Sequence, residues 1–188
     1  MRTLATPLAP LLAIAAILPA LALAGTAHAQ ATEERLSGPE VPGFTIGYAA
    51  ASDTQSIREE VPEGESTQRW SRLITTQRFG GLATRITPKK YAERVMRAMR
   101  KRCSGVEIDD TRSFMLAGRK AYQFEVECPV GATGRREAFI MLAVAGVNDM
   151  HVKQVAFRGQ IVDSGLVWGR RYLDAVTFCL EGSQYCAR

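Results

Sequence analysis

Residues 120–128, KAYQFEVEC, indicate the fold class of this 188-residue chain most clearly. Apolar and polar side chains alternate along the stretch, which is the period-two pattern of a half-buried antiparallel strand with one solvated face. The apolar face consists of Tyr122, Phe124, Val126 and Cys128. Residues 113–117 form a matching strand, and Gly118 and Arg119 between the two strands predict a two-residue hairpin turn.

Further strands are predicted on both sides of this hairpin. Residues 138–147 are almost wholly apolar and indicate a central strand that is covered on both faces. Residues 152–158 form the next strand. Upstream, alternating or apolar stretches predict strands that begin near residues 44, 56 and 70.

Two helices are predicted between these strands. Thr87 suits a helix N-cap and Pro88 the first helical turn, and the apolar residues that follow recur at three- to four-residue spacing as far as Cys103. A second helix is predicted over residues 163–176. Hairpins with helices set apart in sequence indicate an α+β protein, with one antiparallel sheet of about six to seven strands and both helices packed on it.

The first 29 residues match a secretory signal peptide. Arg2 provides a positive start, a run rich in leucine and alanine follows, and Ala27, His28 and Ala29 form a cleavage motif. The alternative is a membrane anchor, but a spanning helix needs roughly 20 apolar residues and Pro19 interrupts this shorter run. We therefore expect cleavage after residue 29, a flexible lead-in over residues 30–43 and a single domain over residues 44–188. We also expect a periplasmic or secreted protein with no later membrane span.

Four cysteines follow the predicted signal peptide, and an even number in an oxidising compartment favours two disulfides. Three pairings are possible, of which we favour Cys103–Cys128 and Cys179–Cys186. The first would join the end of the first helix to a strand, and the second would close the C-terminal tail. A redox pair or a metal site is the alternative, but no two cysteines are spaced as C-x-x-C, so we expect no metal.

The first helix carries the strongest surface signal. The basic residues of its polar face include Lys89, Lys90, Arg94, Arg97, Arg100 and Lys101. One interpretation is a face for an anionic partner, namely a lipid or lipopolysaccharide surface or an envelope protein. The other is the solvated side of a helix that packs on a sheet. A net charge of +5 does not require a nucleic acid, and we expect none as partner.

Candidate catalytic residues are few. His151 is the only histidine after the predicted cleavage site, and a lone histidine at a strand end is more often solvated than catalytic. The neighbouring glutamates at positions 59, 60, 63 and 65 flank a Pro-Gly turn. We therefore expect no catalytic residue and no cofactor. A small periplasmic hydrolase-like enzyme that uses His151 or a carboxylate is the alternative.

Several motifs resemble a group of exported proteobacterial proteins that carry no established activity. The shared positions are Val41-Pro42-Gly43-Phe44, Gly47-Tyr48, Glu60-Val61-Pro62-Glu63-Gly64-Glu65, Trp70, Ile74-Thr75, Gln77, Cys103, Cys128-Pro129 and the two C-terminal cysteines. The element order is similar to that of the PsbP- and DcrB-like α+β sandwiches. This resemblance implies a non-catalytic binding or assembly module. We thus expect a non-catalytic binding or interaction module of the cell envelope, or a structural envelope protein that binds another protein.

Overall fold

The computed structural model describes residues 34–130, 134–159 and 163–180, which all belong to one compact unit. The predicted signal peptide lies outside the described residues. The elements in chain order are β1 (Glu34–Ser37), β2 (Phe44–Ala51), β3 (Gln55–Pro62), β4 (Arg72–Phe79), α1 (Pro88–Arg102), β5 (Glu107–Leu116), β6 (Arg119–Cys128), β7 (Glu137–Ala145), β8 (Met150–Arg158), α2 (Asp163–Asp174) and β9 (Thr177–Leu180).

Seven of the strands form one antiparallel sheet in the order β2-β3-β4-β8-β7-β6-β5, and β1 pairs with β9 in a separate two-stranded sheet. The predicted α+β class, with a seven-stranded antiparallel sheet and two helices, is confirmed for the described residues. Strand β8 is the middle strand of the large sheet, and the apolar strand β7 lies beside it.

The two helices lie on opposite faces of the large sheet. Successive side chains of a strand point to opposite faces, and β7 shows this in its packing. Ile140 and Leu142 belong to the core cluster that contains residues of α2, whereas Met141 and Ala143 belong to the cluster that contains residues of α1. This two-sided burial explains why the strand is apolar almost throughout.

Helix α1 begins and ends as its sequence predicts. Thr87 is the N-cap, and its hydroxyl oxygen accepts a hydrogen bond from the Lys90 backbone N–H at 3.2 Å. At the other end, the predicted disulfide between Cys103 and Cys128 is confirmed and joins the helix to β6. The second predicted disulfide, Cys179–Cys186, involves Cys186, which lies outside the described residues.

The β5–β6 hairpin differs by one residue from its prediction. Leu116 pairs with Arg119, so the turn consists of Ala117 and Gly118 rather than of Gly118 and Arg119. Both turn residues have positive φ angles, 47° and 76°. Two-residue hairpins favour this geometry because its twist matches that of the strands, and Ala117 adopts it at some steric cost.

The predicted flexible lead-in contains a strand. Residues 34–37 form β1, and Leu36 is buried in the core cluster on the α2 side, close to Phe178 of β9. Sequence analysis missed the pairing because both strands have only four residues and lie at opposite ends of the domain.

The polar face of β6 is not solvated as predicted. Gln123 and Glu125 are only 1% and 7% exposed, because α2 covers this face of the sheet. Arg170 of α2 donates two hydrogen bonds to the Glu125 carboxylate, each 3.0 Å long. A charge-assisted pair of this kind compensates the burial of a carboxylate.

Candidate functional site

A row of four side chains crosses the large sheet on its α2 side. The strand register places Ala49 of β2 opposite Arg58 of β3, Arg58 opposite Thr76 of β4, and Thr76 opposite Lys153 of β8. Residues that face each other in a ladder point to the same side of a sheet. The row therefore ends at a lysine near the middle of the sheet.

Lys153 is buried, with only 5% of its surface exposed. Its ammonium donates a hydrogen bond to the Thr76 hydroxyl oxygen at 2.7 Å and lies 5.7 Å from the centre of the Tyr172 ring on α2. Burial lowers the pKa of Lys153 from 10.5 to about 8, because the loss of solvation outweighs the attraction of Glu60. Burial likewise raises the pKa of Tyr172.

A cleft of about 670 Å³ opens beside this lysine. It is lined by residues 35–40, 49–51 and 56–58 and by Glu60, Thr76, Lys153 and Tyr172. A volume of this size lies within the range of small-molecule sites. Strand β1 and the residues that follow it form one wall, and β2 and β3 form the opposite wall.

Small residues create the space. The side chains of Ala49 and Ala51 face the α2 side of β2, and neither extends far from the sheet. On the opposite wall, a Cβ atom added at Gly38 would lie 2.6 Å from the Tyr172 hydroxyl and 3.4 Å from Lys153 Cε. A side chain at position 38 would collide with the tyrosine, so glycine permits this close approach.

The charges of the cleft are unevenly compensated. Arg58 and Glu60 form an ion pair of 2.9 Å with each other. Among the described residues, no carboxylate lies within ion-pair distance of Lys153, and Thr76 is its one hydrogen-bond acceptor. An ammonium has three donor protons, so two of those on Lys153 are left without a protein acceptor in this part of the chain.

His151 lies on the same face of β8 but is enclosed rather than solvated. It is 3% exposed, and its Nε2 atom lies 3.9 Å from the Glu34 carboxylate. The Phe178 ring packs against it at 5.2 Å between centroids. Glu34 is itself engaged, because it accepts hydrogen bonds from Arg119 at 2.9 Å and from the Val147 backbone N–H at 2.7 Å.

The basic residues predicted as a partner face all lie exposed on α1, on the other side of the sheet. These residues are Lys89, Lys90, Arg94, Arg97, Arg100 and Lys101. In the described part of the chain only Lys90 among them forms an ion pair, with Glu93 at 3.0 Å. This pair and the other nearby basic residues lower the pKa of Glu93. The structure thus keeps the basic residues on one surface and does not bring them to the cleft.

Lys153 and Tyr172 were missed by sequence analysis, although the sequence contains a signal for the lysine. Lys153 has the same parity as Val155 and Phe157 in strand β8, so its side chain points to a face that those residues mark as apolar. A lysine at such a position is unusual, since lysine is almost never fully buried without a partner.

Comparisons with solved structures show similarity in the arrangement of the chain. The Ran-binding protein Mog1p of Saccharomyces cerevisiae is 9% identical, with a TM-score of 0.49 over 77% of this chain and 93% of that one. The cyanobacterial PsbP of Synechocystis is 8% identical, with a TM-score of 0.47 over 84% and 99% of the two chains. LpqN of Mycobacterium tuberculosis, involved in cell envelope biogenesis, is 12% identical, with a TM-score of 0.42 over 80% and 87%.

No protein-family model matches the sequence, and no curated protein matches it. In residues 34–130, 134–159 and 163–180, no helix is both long and apolar enough to cross a membrane. Within the same ranges, no group of three or more His, Cys, Asp or Glu residues is placed to hold a metal ion.

Proposed function

We propose that this chain is an exported, non-catalytic binding module of the cell envelope that holds a small ligand in the cleft beside Lys153. The observation that carries the proposal is the buried ammonium of Lys153, which borders an open cleft and has two donor protons without a described acceptor. Burial of an ammonium is unfavourable unless its charge and its donors are satisfied. A ligand in the cleft satisfies them.

The surroundings of His151 support a binding role over the alternative of a hydrolase-like enzyme. A catalytic base must reach the proton that it abstracts from a bound substrate. His151 is packed against Phe178, and the nearby Glu34 carboxylate is held by Arg119 and a backbone N–H. These contacts favour a structural role for the pair of His151 and Glu34.

Export is supported by two features of the chain. Residues 1–29 have the pattern of a cleavable signal peptide, and the Cys103–Cys128 disulfide is typical of a protein that folds in an oxidising compartment. We therefore place the mature protein in the periplasm or outside the cell. The second disulfide, Cys179–Cys186, belongs to the same proposal.

Binding of Nile red, a neutral dye whose fluorescence rises in apolar sites, tests the cleft. Ala49→Trp fills the cleft from its β2 wall, and Ala98→Trp adds the same side chain to the exposed surface of α1, outside the cleft lining. We expect the wild-type protein and Ala98→Trp to bind the dye, and Ala49→Trp to lose most of the signal. Ala49→Leu serves as a smaller filling change if the tryptophan variant does not fold.

Equal dye binding by Ala49→Trp, Ala49→Leu and Ala98→Trp would show that the dye binds elsewhere and would contradict the proposal. Absence of dye binding to the wild-type protein would contradict it as well. The far-UV circular dichroism of each variant is compared with that of the wild type before binding is measured, so that loss of the fold is not mistaken for loss of the cleft.

A second candidate function is binding of the basic α1 face to an anionic lipid or lipopolysaccharide surface. The observation that favours it is the exposure of six basic side chains, of which only Lys90 is paired with an acidic group among the described residues. Such binding weakens as salt screens the charges. Co-sedimentation with vesicles of neutral lipid and of anionic lipid, at low and physiological salt, measures it.

The matched variants for the vesicle experiment carry equal changes in charge. Arg94→Glu/Arg97→Glu reverses two charges on α1, and Arg69→Glu/Arg171→Glu reverses two exposed charges elsewhere. We expect only the α1 variant to lose salt-sensitive binding to anionic vesicles. Equal loss in both variants would show that net charge, rather than this face, causes the binding.

A further inference from the structure

We infer that the ligand of the Lys153 cleft is a small monocarboxylate, held by the Lys153 ammonium and the Thr76 hydroxyl, with an apolar remainder that lies along β2. This inference rests on the proposed function and adds the chemical class of the ligand. It follows from the donors, the charge and the shape of the cleft.

The donors match the two oxygens of a carboxylate. The Lys153 ammonium donates one of its three protons to Thr76 Oγ1 and has two others available. Thr76 accepts that bond, so its hydroxyl proton is available, and among the described residues no acceptor takes it. The Tyr172 hydroxyl and Lys153 Cε both lie within 3.4 Å of the position that a Cβ atom would take at Gly38, so the tyrosine hydroxyl is a third donor close by.

The charge of the cleft favours one negative charge on the ligand. Arg58 and Glu60 form an ion pair of 2.9 Å, and Arg35, Glu40 and Lys153 also line the cleft, so its charged residues carry a formal net charge of +1. A carboxylate brings one negative charge and forms short charge-assisted hydrogen bonds with an ammonium. One negative charge balances this lining, whereas the second charge of a phosphate dianion has no counterpart among the side chains that line the cleft.

The shape of the cleft accommodates an apolar chain next to the acid. The side chains of Ala49 and Ala51 form a low wall on β2, and Leu36 and the Tyr172 ring border the opposite side. The side chains of Ala49, Ala51 and Leu36 are apolar, and the Tyr172 ring is uncharged. A short fatty acid or another acid with an apolar side chain fits this combination better than a polyol or a peptide.

Hexanoate and 1-hexanol are the probes, because they share a chain and differ in the acid group. Their binding is measured by isothermal titration calorimetry at neutral pH to the wild type, to Lys153→Met and to Lys120→Met. Methionine retains most of the length of lysine without its charge. Lys120 is an exposed lysine that projects to the α1 side of the sheet, so Lys120→Met is the matched control.

We expect hexanoate to bind the wild type and Lys120→Met alike, and to bind Lys153→Met about tenfold or more weakly, because a charge-assisted hydrogen bond is lost. We expect 1-hexanol to bind the wild type more weakly than hexanoate by a similar factor. Lys153→Met removes a buried charge, so the variant is expected to fold.

Two results would overturn the inference. If 1-hexanol and hexanoate bind the wild type equally, or if Lys153→Met binds hexanoate as well as the wild type does, the carboxylate is not the recognised group. If neither probe binds at millimolar concentration while Nile red still binds and Ala49→Trp abolishes that binding, the inference fails and the proposed cleft stands. If Nile red does not bind either, the monocarboxylate inference and the proposed function of the cleft are both contradicted.

Discussion

The Glu34 carboxylate on β1 accepts a hydrogen bond from the Arg119 guanidinium on β6 at 2.9 Å, across 85 residues of sequence. Its other oxygen accepts a hydrogen bond from the Val147 backbone N–H in the β7–β8 turn. One carboxylate thus connects the two-stranded sheet to two parts of the seven-stranded sheet. Because residues 35–37 of β1 and residues 38–40 that follow it line the Lys153 cleft, the same contacts position one wall of that cleft.

Glu34→Ala is expected to destabilise the fold by about 2–3 kcal/mol, since it removes two hydrogen bonds to a charged acceptor and leaves Arg119 without its partner. Urea unfolding followed by circular dichroism measures the change. Glu40→Ala is the matched control, because Glu40 is exposed on the same segment. A free energy of unfolding that falls equally in both variants would contradict the structural role of Glu34.

Removal of the Cys103–Cys128 disulfide is expected to destabilise the protein. The bridge closes a loop with a sequence separation of 25, and the chain-entropy model gives roughly 3–4 kcal/mol for a loop of that length. The double variant Cys103→Ala/Cys128→Ala is compared with the wild type by urea unfolding. An unchanged unfolding midpoint would show that the bridge does not restrict the unfolded chain as the model assumes.

All four cysteines are expected to be oxidised in the exported protein. The intact mass of the unreduced protein then falls short of the fully reduced mass by about four hydrogens. Proteolysis without reduction should yield a peptide pair that joins Cys103 to Cys128 and another that joins Cys179 to Cys186. Labelling of Cys179 or Cys186 by a thiol reagent without prior reduction would refute the second bridge.

Lys153→Met is expected to be more stable than the wild type at neutral pH, with an advantage that shrinks as the pH rises. The pKa of Lys153 is lowered from 10.5 to about 8 in the folded protein. Below pH 8 lysine is charged in both states, and the folded state bears the full desolvation cost. Between about pH 8 and 10.5 the unfolded state binds more protons, so wild-type stability rises relative to the variant.

The advantage of Lys153→Met below pH 8 is at most about 3 kcal/mol, from the size of the pKa shift. Glu60 and Arg58 from β3 and Tyr172 from α2 also face this lysine, so the measurement is the difference between variant and wild type at each pH. Lys120→Met is the control, and its free energy of unfolding should differ from that of the wild type by the same amount at every pH. If the stability difference between Lys153→Met and the wild type also stayed the same at every pH, the lysine would be solvated in the folded protein.

Gly169 is expected to be intolerant of a side chain, unlike Gly165 in the same helix. A Cβ atom at position 169 would lie 3.0 Å from Phe157 Cζ and 3.1 Å from Ile140 Cδ1, whereas at position 165 the nearest atom, in Phe157, is 3.5 Å away. Overpacking typically costs about 1–3 kcal/mol. Gly169→Ala should therefore lower the thermal unfolding midpoint, and Gly165→Ala should leave it unchanged or raise it slightly because alanine favours helices. Equal midpoints for the two variants would mean that α2 moves away from the sheet at little cost.

The elements with strong local patterns agree with their predictions. The alternation over residues 120–128 identified β6, and Thr87, Pro88 and the spacing of apolar residues identified α1 and its start. The patterns did not reveal the solvent exposure of each face. Gln123 and Glu125 are polar, yet α2 buries them, because a helix that lies far along the chain packs over that side of the sheet.

The candidate site was less accessible to prediction than the fold. The basic residues of α1 were recognised because they are adjacent in sequence, whereas the cleft joins residues from β1, β2, β3, β4, β8 and α2. Lys153 was recognisable as an inward-pointing lysine only because alternation along the strand places it on the same face as Val155 and Phe157. Its lack of a carboxylate partner among the described residues depends on the positions of Glu60 and Arg58, which alternation does not specify.

Local sequence was sufficient for the α+β class, for most strands and for both helices, and it favoured the Cys103–Cys128 pairing among three possible ones. Backbone preference, capping and side-chain periodicity depend on residues close together in the chain. Packing of distant segments was needed to pair β1 with β9, to place Glu34 beside His151 and to leave Lys153 as a desolvated ammonium at an open cleft. Desolvation and charge compensation depend on every group that surrounds a side chain, and for Lys153 those groups come from four strands and a helix.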